Sequence, residues 1–153
     1  MFFVIDCVDK ADHAEVRAAN REAHLDYLSR FKERICVAGP TFGEDGQGMN
    51  GSVLILDFAD RGAAEDFAAG DPYRQAGLFE TVTIRQWKKV FPMEGGVRIF
   101  ALVCIDKPNQ ADVRKEHREA HMAYLRSFNE NIVTAGPLLA EDESHSVGSL
   151  FVL

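Results

Sequence analysis

Two side chains in this sequence have the types and surroundings that proton transfer requires. His24 lies on a stretch with helical periodicity, and Asp71 lies in the bend Asp71-Pro72-Tyr73. An imidazole ordinarily titrates near pH 6.5, so it can accept and return a proton close to neutrality. A carboxylate on its other ring nitrogen would fix the tautomer and stabilise the imidazolium. Along Ala14 to Phe31, Val16, Ala23, Tyr27 and Phe31 form one apolar stripe, with Arg17, His24 and Leu28 on its edge and Arg21 just beyond. His24 therefore stands where a core would meet a cleft. A histidine beside an apolar stripe also serves as a packed structural residue, so the pattern leaves both roles open. The two helices of the fold derived below share one face, and that is what could bring Asp71 to His24.

Other chemistries find less support. The loop from Gly43 to Gly51 is glycine-rich but acidic, has no P-loop pattern and leads into a strand, which makes it a flexible lid or hairpin loop and not a phosphate cradle. No Gly-x-Ser-x-Gly occurs, and no cysteine sits beside a histidine in a nucleophile motif. Cys7, Cys36 and Cys104 form an odd set without a Cys-x-x-Cys pair, in apolar strand-like surroundings, and are expected to be free buried thiols.

The elements that must position these residues belong to a chain of 153 residues, 46% hydrophobic, with 17 Lys+Arg against 24 Asp+Glu and a net charge of −7. That is enough for a packed core. With no basic stripe to neutralise phosphates, neither nucleic acid nor an anionic membrane surface is an expected partner. The most apolar stretches are interrupted by Asp6, Asp57 and Asp106, short of the roughly 20 apolar residues a membrane span needs. Met1 to Val8 lacks a basic leader and has the composition of a strand, so a cytoplasmic location is expected.

Sliding the sequence by 97 positions aligns Phe2–Leu56 with Ile99–Leu153 without a gap and with 24 identities in 55 positions. Shared residues include Cys7 and Cys104, Asp9-Lys10 and Asp106-Lys107, Arg17 and Arg114, and Arg21-Glu22-Ala23-His24 and Arg118-Glu119-Ala120-His121. They also include Ala38-Gly39-Pro40 and Ala135-Gly136-Pro137, and Gly51-Ser52 and Gly148-Ser149. The sequence thus contains a duplication. In the first copy, strands are expected at Phe2 to Val8, Ile35 to Ala38 (closed by Gly39-Pro40), Gly51 to Phe58 and Phe79 to Val90. Helices are expected at Ala14 to Phe31, with Asp12 as N-cap, and at Arg61 to Ala69, stopped by Gly70. This order is βαββαβ, an α+β ferredoxin-like unit with an antiparallel sheet and both helices on one face. Residues 1–90 form the complete copy, 91–97 a linker marked by Pro92 and Gly95-Gly96, and 98–153 a truncated βαββ copy. Two such sheets can pack face to face within one chain, giving an α+β barrel. The truncated copy exposes a sheet edge, so a homo-oligomer is expected through Ile99 to Val103 or Gly148 to Leu153.

The combination Arg21-x-x-His24, Ala38-Gly39-Pro40, Gly51-Ser52, Asp71-Pro72-Tyr73 and a last strand ending in Trp87-Lys88-Lys89 resembles the YCII family. The likeness covers the first copy and runs to the third strand of the second. It implies a dimeric α+β barrel related to the muconolactone isomerases, with a His–Asp active-site pair falling on His24 and Asp71. It further implies a small, oxygenated aromatic substrate, because members with an assigned reaction include a dehydrochlorinase of 5-chlorohydroxyhydroquinone. Such a reaction needs a base for a hydroxyl proton, an acid for a ring carbon and help for the departing chloride, and an imidazole can do both proton tasks. No metal or organic cofactor is required, because no net electrons pass to the protein. Arg17 or Arg21 would hold a phenolate or enolate oxygen, or else pair with Glu22 or Asp26 on a solvated helix face. Ser52 and Tyr73 are candidate hydroxyl donors, and Pro40 and Phe42 would contact a flat ring or simply pack at the turn. A ligand-binding or interaction module without turnover is the alternative. His121 matches His24 but is followed by no counterpart of Asp71, so one complete site is expected, with His121 structural or served by a carboxylate from a neighbouring unit. His117 and His121 are one turn apart, as zinc ligands can be. Yet Glu119 is two residues after His117 instead of adjacent, and Asn20 replaces His117 in the first copy, so zinc is not expected.

Overall fold

The computed structural model describes residues 1–43, 46–90 and 100–153. The expected linker Phe91 to Val97 lies outside the described residues, as do Glu44 and Asp45 of the glycine-rich loop. The chain divides into two compact units, Met1–Arg85 and Gln86–Leu153.

The first unit contains β1 (Phe2–Asp9), α1 (Ala14–Ser29), β2 (Ile35–Phe42), β3 (Met49–Asp57), α2 (Arg61–Gly70), the one-turn α3 (Pro72–Gln75) and most of β4 (Phe79–Trp87). Its strands lie in the order β2-β3-β1-β4, the α+β ferredoxin-like arrangement expected from the element order. β1 runs antiparallel to β3 in an unbroken register from Phe2 opposite Asp57 to Val8 opposite Gly51. Side chains alternate along a strand, so Phe3, Ile5 and Cys7 of β1 share a face with Leu54 and Leu56 of β3. That face meets Ala64 and Phe67 of α2 and the partly buried Val16, Tyr27 and Leu28 of α1 in one core, with Phe31 just past α1. Both long helices therefore sit on the same side of the sheet, as expected.

Local details depart from the sequence-based expectation. Asp12 does not cap α1: it adopts a left-handed backbone with φ of 60°, which aspartate tolerates, and His13 takes the cap position without a side-chain capping bond to the helix. Ser29 ends α1, two residues before Phe31. β2 does not close at Gly39-Pro40 but continues to Phe42. Pro40 is tolerated inside it because β2 is an edge strand, where a missing N–H costs no ladder bond. The Asp71-Pro72-Tyr73 bend is a helix start: the Asp71 carboxylate accepts from the Tyr73 backbone N–H at 2.9 Å, and Pro72 occupies the first helical position. β4 ends at Trp87, short of Val90.

The second unit holds β5 (Ala101–Ile105), α4 (Ala111–Glu116), α5 (Arg118–Ser127), β6 (Thr134–Leu139) and β7 (Ser146–Val152), with strand order β6-β7-β5 and Trp87 paired opposite Leu138. Cys104 faces Ser149 and Ile105 faces Gly148, repeating the pairings Cys7 with Ser52 and Val8 with Gly51. The duplicated sequence is thus a duplicated register. Burial of the thiols differs from expectation: Cys7 is buried, Cys36 half-buried and Cys104 exposed, because most of β5 is solvated where β1 lies beneath helices.

Candidate active site

The buried residues of α1 are Arg17 and His24, while Ala23, expected on the buried stripe, is exposed. The helix is rotated so that its Arg17–His24 line, seven residues or two turns apart, lies against β1, β3 and α3. Burial of these polar groups requires partners, and the fold supplies them from several directions.

His24 Nδ1 lies 2.8 Å from Asp71 Oδ1, with side chains only 9% and 6% exposed. Two features close that distance. Tyr27 donates its hydroxyl to the Phe67 carbonyl at 2.8 Å, tying α1 to the last turns of α2. Gly70 lets the two elements touch there, because a Cβ at that position would fall 2.6 Å from the Tyr27 hydroxyl oxygen. The chain then turns at Asp71, whose Oδ1 accepts from both His24 and Tyr73 N–H. A carboxylate facing Nδ1 places the proton on that nitrogen in the neutral ring and leaves Nε2 as the basic atom.

Tyr73 stacks on the His24 ring at 4.0 Å between centroids and 16° between planes, and the Arg17 guanidinium carbon lies 4.8 Å from the Tyr73 ring centroid. Burial raises the Tyr73 hydroxyl above its ordinary titration range, opposed by the nearby Arg17 charge. Arg17 is held by a two-pronged contact with Asp9: Nε donates to Oδ2 at 2.7 Å and Nη2 to Oδ1 at 2.8 Å. Nη2 also donates to the Gly51 carbonyl at 2.9 Å and to Ser52 Oγ at 3.1 Å. Burial works against the guanidinium charge, and the Asp9 hydrogen bonds and charge outweigh it, leaving Arg17 above its ordinary value. Gly51 allows β3 to lie close against β1 here, because a Cβ at that position would fall 2.2 Å from the Cys7 carbonyl oxygen. Burial, followed by the Asp71, Asp6 and Asp9 charges, pushes the Cys7 thiol up to about 12, so it is an inert wall of the core.

These groups surround a cavity of about 160 Å³ lined by Arg17, Arg21, His24, Ser52 and Tyr73, with Leu25, Leu28, Leu54, Met49, Ala38, Gly39 and Pro40 as its apolar part. Seven of the eight residues read from the sequence therefore gather here, with Asp71 behind His24 instead of in the wall. Phe42 does not: it is 51% exposed and absent from the lining. The ladder is irregular between Thr41 and Phe42, which pairs Phe42 with Met49, and Met49 takes its place at the cavity. Arg17 pairs with Asp9 and not with Glu22 or Asp26. Asp9 is the residue the sequence reading passed over. Its signal was the repeat, which keeps an aspartate eight residues before the arginine in both copies.

The second unit repeats the arginine clamp: Arg114 Nε donates to Asp106 Oδ2 at 2.7 Å and Nη2 to Ser149 Oγ at 2.8 Å. His121 is exposed and meets the edge of Phe151, with 6.1 Å between ring centroids. Among the described residues no three His, Cys, Asp or Glu side chains converge as metal ligands would, and no helix is long and apolar enough to cross a membrane.

Comparison with known proteins places this geometry. Residues 1–88 match the family model of the YCII-related domain. Protein YciI of Escherichia coli O6:H1 (strain CFT073) is 39% identical over 98 residues, which is 60% of this chain and all of that protein. The solved structure of 5-chloro-2-hydroxyhydroquinone dehydrochlorinase from Burkholderia phenoliruptrix AC1100, in complex with 2,5-dihydroxybenzoquinone, is 37% identical. Its TM-score is 0.53, over 57% of this chain and 94% of that one. A monooxygenase candidate from Lactobacillus acidophilus NCFM aligns over 99% of this chain and 74% of its own at a TM-score of 0.55 and 11% identity, a likeness of fold alone.

Proposed function

The chain belongs to the YCII-related domain family, and from that premise we propose that its first unit is a cofactor-free lyase or isomerase acting on a small oxygenated ring. Its most specific form is the dehydrochlorination of 5-chlorohydroxyhydroquinone to hydroxybenzoquinone. The observation that carries this reading is the buried 2.8 Å contact between His24 and Asp71 beside a cavity sized for one ring. Likeness to a dehydrochlorinase at 37% identity supports the reaction class.

The chemistry balances without redox help. His24 Nε2 takes a proton from a ring hydroxyl, and the electron pair flows into the ring toward the chlorine-bearing carbon. The same nitrogen returns the proton to that carbon, giving a ketone with a C–H and a C–Cl bond on one atom. Loss of a second hydroxyl proton then drives chloride out and leaves the quinone, so one hydroxyl proton stays on carbon and the other departs with chloride. Asp71 stabilises the imidazolium formed between the steps, a role worth on the order of 10²- to 10⁴-fold in rate for a well-placed acid–base group. The apolar side chains of the wall exclude water from the enolate, and no metal or organic cofactor enters the scheme.

The reading has the protein in the cytoplasm and self-associated through the second unit, where Phe100 and Leu102 are 70% and 44% exposed. The decisive experiment is chloride release from 5-chlorohydroxyhydroquinone under anaerobic conditions, which prevents spontaneous oxidation of the phenol. The expected result is release that depends on His24; release at the rate without protein returns the substrate to unknown.

A further inference from the structure

The charges around the cavity are unevenly compensated. Arg17 and Arg21 both line it, and among the described residues no carboxylate does. The two nearby carboxylates sit behind the wall and are already engaged, Asp9 with Arg17 and Asp71 with His24. Arg17 has Nε and Nη2 committed to Asp9, the Gly51 carbonyl and Ser52, so it is a fixed brace whose charge is matched at contact distance. Arg21 is exposed at the mouth and makes no ion pair or hydrogen bond among the described residues. One positive charge thus faces the cavity without a counter-ion.

Ser52 adds a direction to that charge. Its oxygen accepts from Arg17 Nη2, its own hydroxyl proton meets no acceptor among the described residues, and the residue lines the cavity while only 5% exposed. A buried hydroxyl whose lone pair is taken by a guanidinium is set to donate. The same bond recurs between Arg114 and Ser149, so the orientation is a property of the repeated scaffold.

We propose that this cavity selects its ligand as an anion, with Arg21 supplying the uncompensated charge and Ser52 the donated hydrogen bond, while Asp9 removes Arg17 from that role. The selected class is acidic, enolised or phenolate-bearing rings over neutral rings of the same size. The inference rests on the proposed ring substrate but not on turnover, so it is tested by binding. The probes are 2,5-dihydroxybenzoquinone, an anion at pH 7.5, and hydroquinone, a neutral ring of the same size, titrated calorimetrically at low salt into wild type, Arg21→Gln, Arg21→Lys and Ser52→Ala. Arg21→Gln is expected to weaken the anion by about ten-fold and hydroquinone by less than about two-fold, as loss of one charge-assisted contact does. Arg21→Lys should recover part of the affinity, and Ser52→Ala should weaken the anion more than the neutral ring. Equal losses for both probes, or none for the anion, overturn the proposal. Wild-type binding of neither probe removes this inference and the proposed function together. The expected binding pattern without chloride release removes only the function.

Discussion

Replacing Asp71 by asparagine tests the proton-transfer reading with the least disturbance of shape. The carboxylate Oδ1 accepts two bonds, from His24 at 2.8 Å and from Tyr73 N–H at 2.9 Å, at a residue 4% exposed. An amide oxygen in the same place can still accept both, so the cap on α3 and the histidine tautomer survive. What disappears is the charge facing the imidazolium. Hydrogen bonds to charged groups contribute about 1.5–3 kcal/mol and neutral ones about 0.5–1.5, so each of the two contacts loses about 1–1.5 kcal/mol. The Tyr73 contact is the same in both protonation states, so its loss falls on stability; only the His24 contact, about 1–1.5 kcal/mol, falls on the state in which His24 is protonated. At about 1.4 kcal/mol per factor of ten, kcat for chloride release should drop about 5- to 12-fold, with KM little changed. Stopped-time chloride measurements across substrate concentrations separate the two constants. A variant with unchanged kcat and a raised KM would show that Asp71 holds substrate or structure instead of stabilising an ion, and the mechanism above would be wrong.

Further outcomes follow from the same geometry. His24→Ala should cost on the order of 10²- to 10⁴-fold in rate. His121→Ala should stay near wild type, since His121 is exposed and meets only Phe151; comparable losses at both positions would mean that the second unit takes part. Asp9→Asn strands Arg17 where both side chains are 8% and 7% exposed and should destabilise the first unit by about 3 kcal/mol. Asp106→Asn, at a pair 29% and 27% exposed, should cost about 1 kcal/mol or less. Urea unfolding followed by a probe in each unit reads the difference, and equal losses would remove burial as its cause. The Cys7 thiol titrates at about 12 when folded and near 8.5 when unfolded, so the folded state holds its proton more tightly. Its contribution is complete below pH 8.5 and falls by about 1.4 kcal/mol per unit as pH rises toward 12. At pH 8, a thiol reagent should label Cys104 at once and Cys7 only on unfolding; rapid labelling of Cys7 in the native protein would contradict its burial.

The element order and the shared helix face were legible because each rests on a strong local signal, period two in the strands and period 3.6 in α1, whereas the His24–Asp71 pair, 47 residues apart, was legible only through the family resemblance and the shared face. Misreadings came where a partner distant in sequence decided the outcome. Apolar periodicity put Ala23 in the core and Arg17 at its edge, yet Arg17 is buried because Asp9, at the end of β1, neutralises it. Phe42 was expected at the turn beyond a strand closed by Gly39-Pro40; the strand instead runs on to Phe42, and an irregularity beyond Thr41 leaves that ring 51% exposed. Asp9 itself carries no periodic signature, since a strand end and a helix eight residues later follow no common repeat.

The duplication supplies the comparison that a single copy could not. Each unit holds an arginine between an aspartate eight residues earlier and a serine thirty-five residues later, with the serine opposite a cysteine in the same register. Where the same clamp stands in a unit whose histidine is exposed, the clamp cannot be what buries the histidine. It fixes the helix on its two strands and sets the serine hydroxyl, and that requirement is common to both copies. On the proposed reading, the chemistry of the first unit comes from groups outside the clamp: a glycine that lets α2 close on Tyr27, and a carboxylate that caps the following turn. On this argument, transplanting reactivity would require moving the α2–α3 corner onto a clamp already in place, and altering the clamp alone would change stability before it changed the reaction.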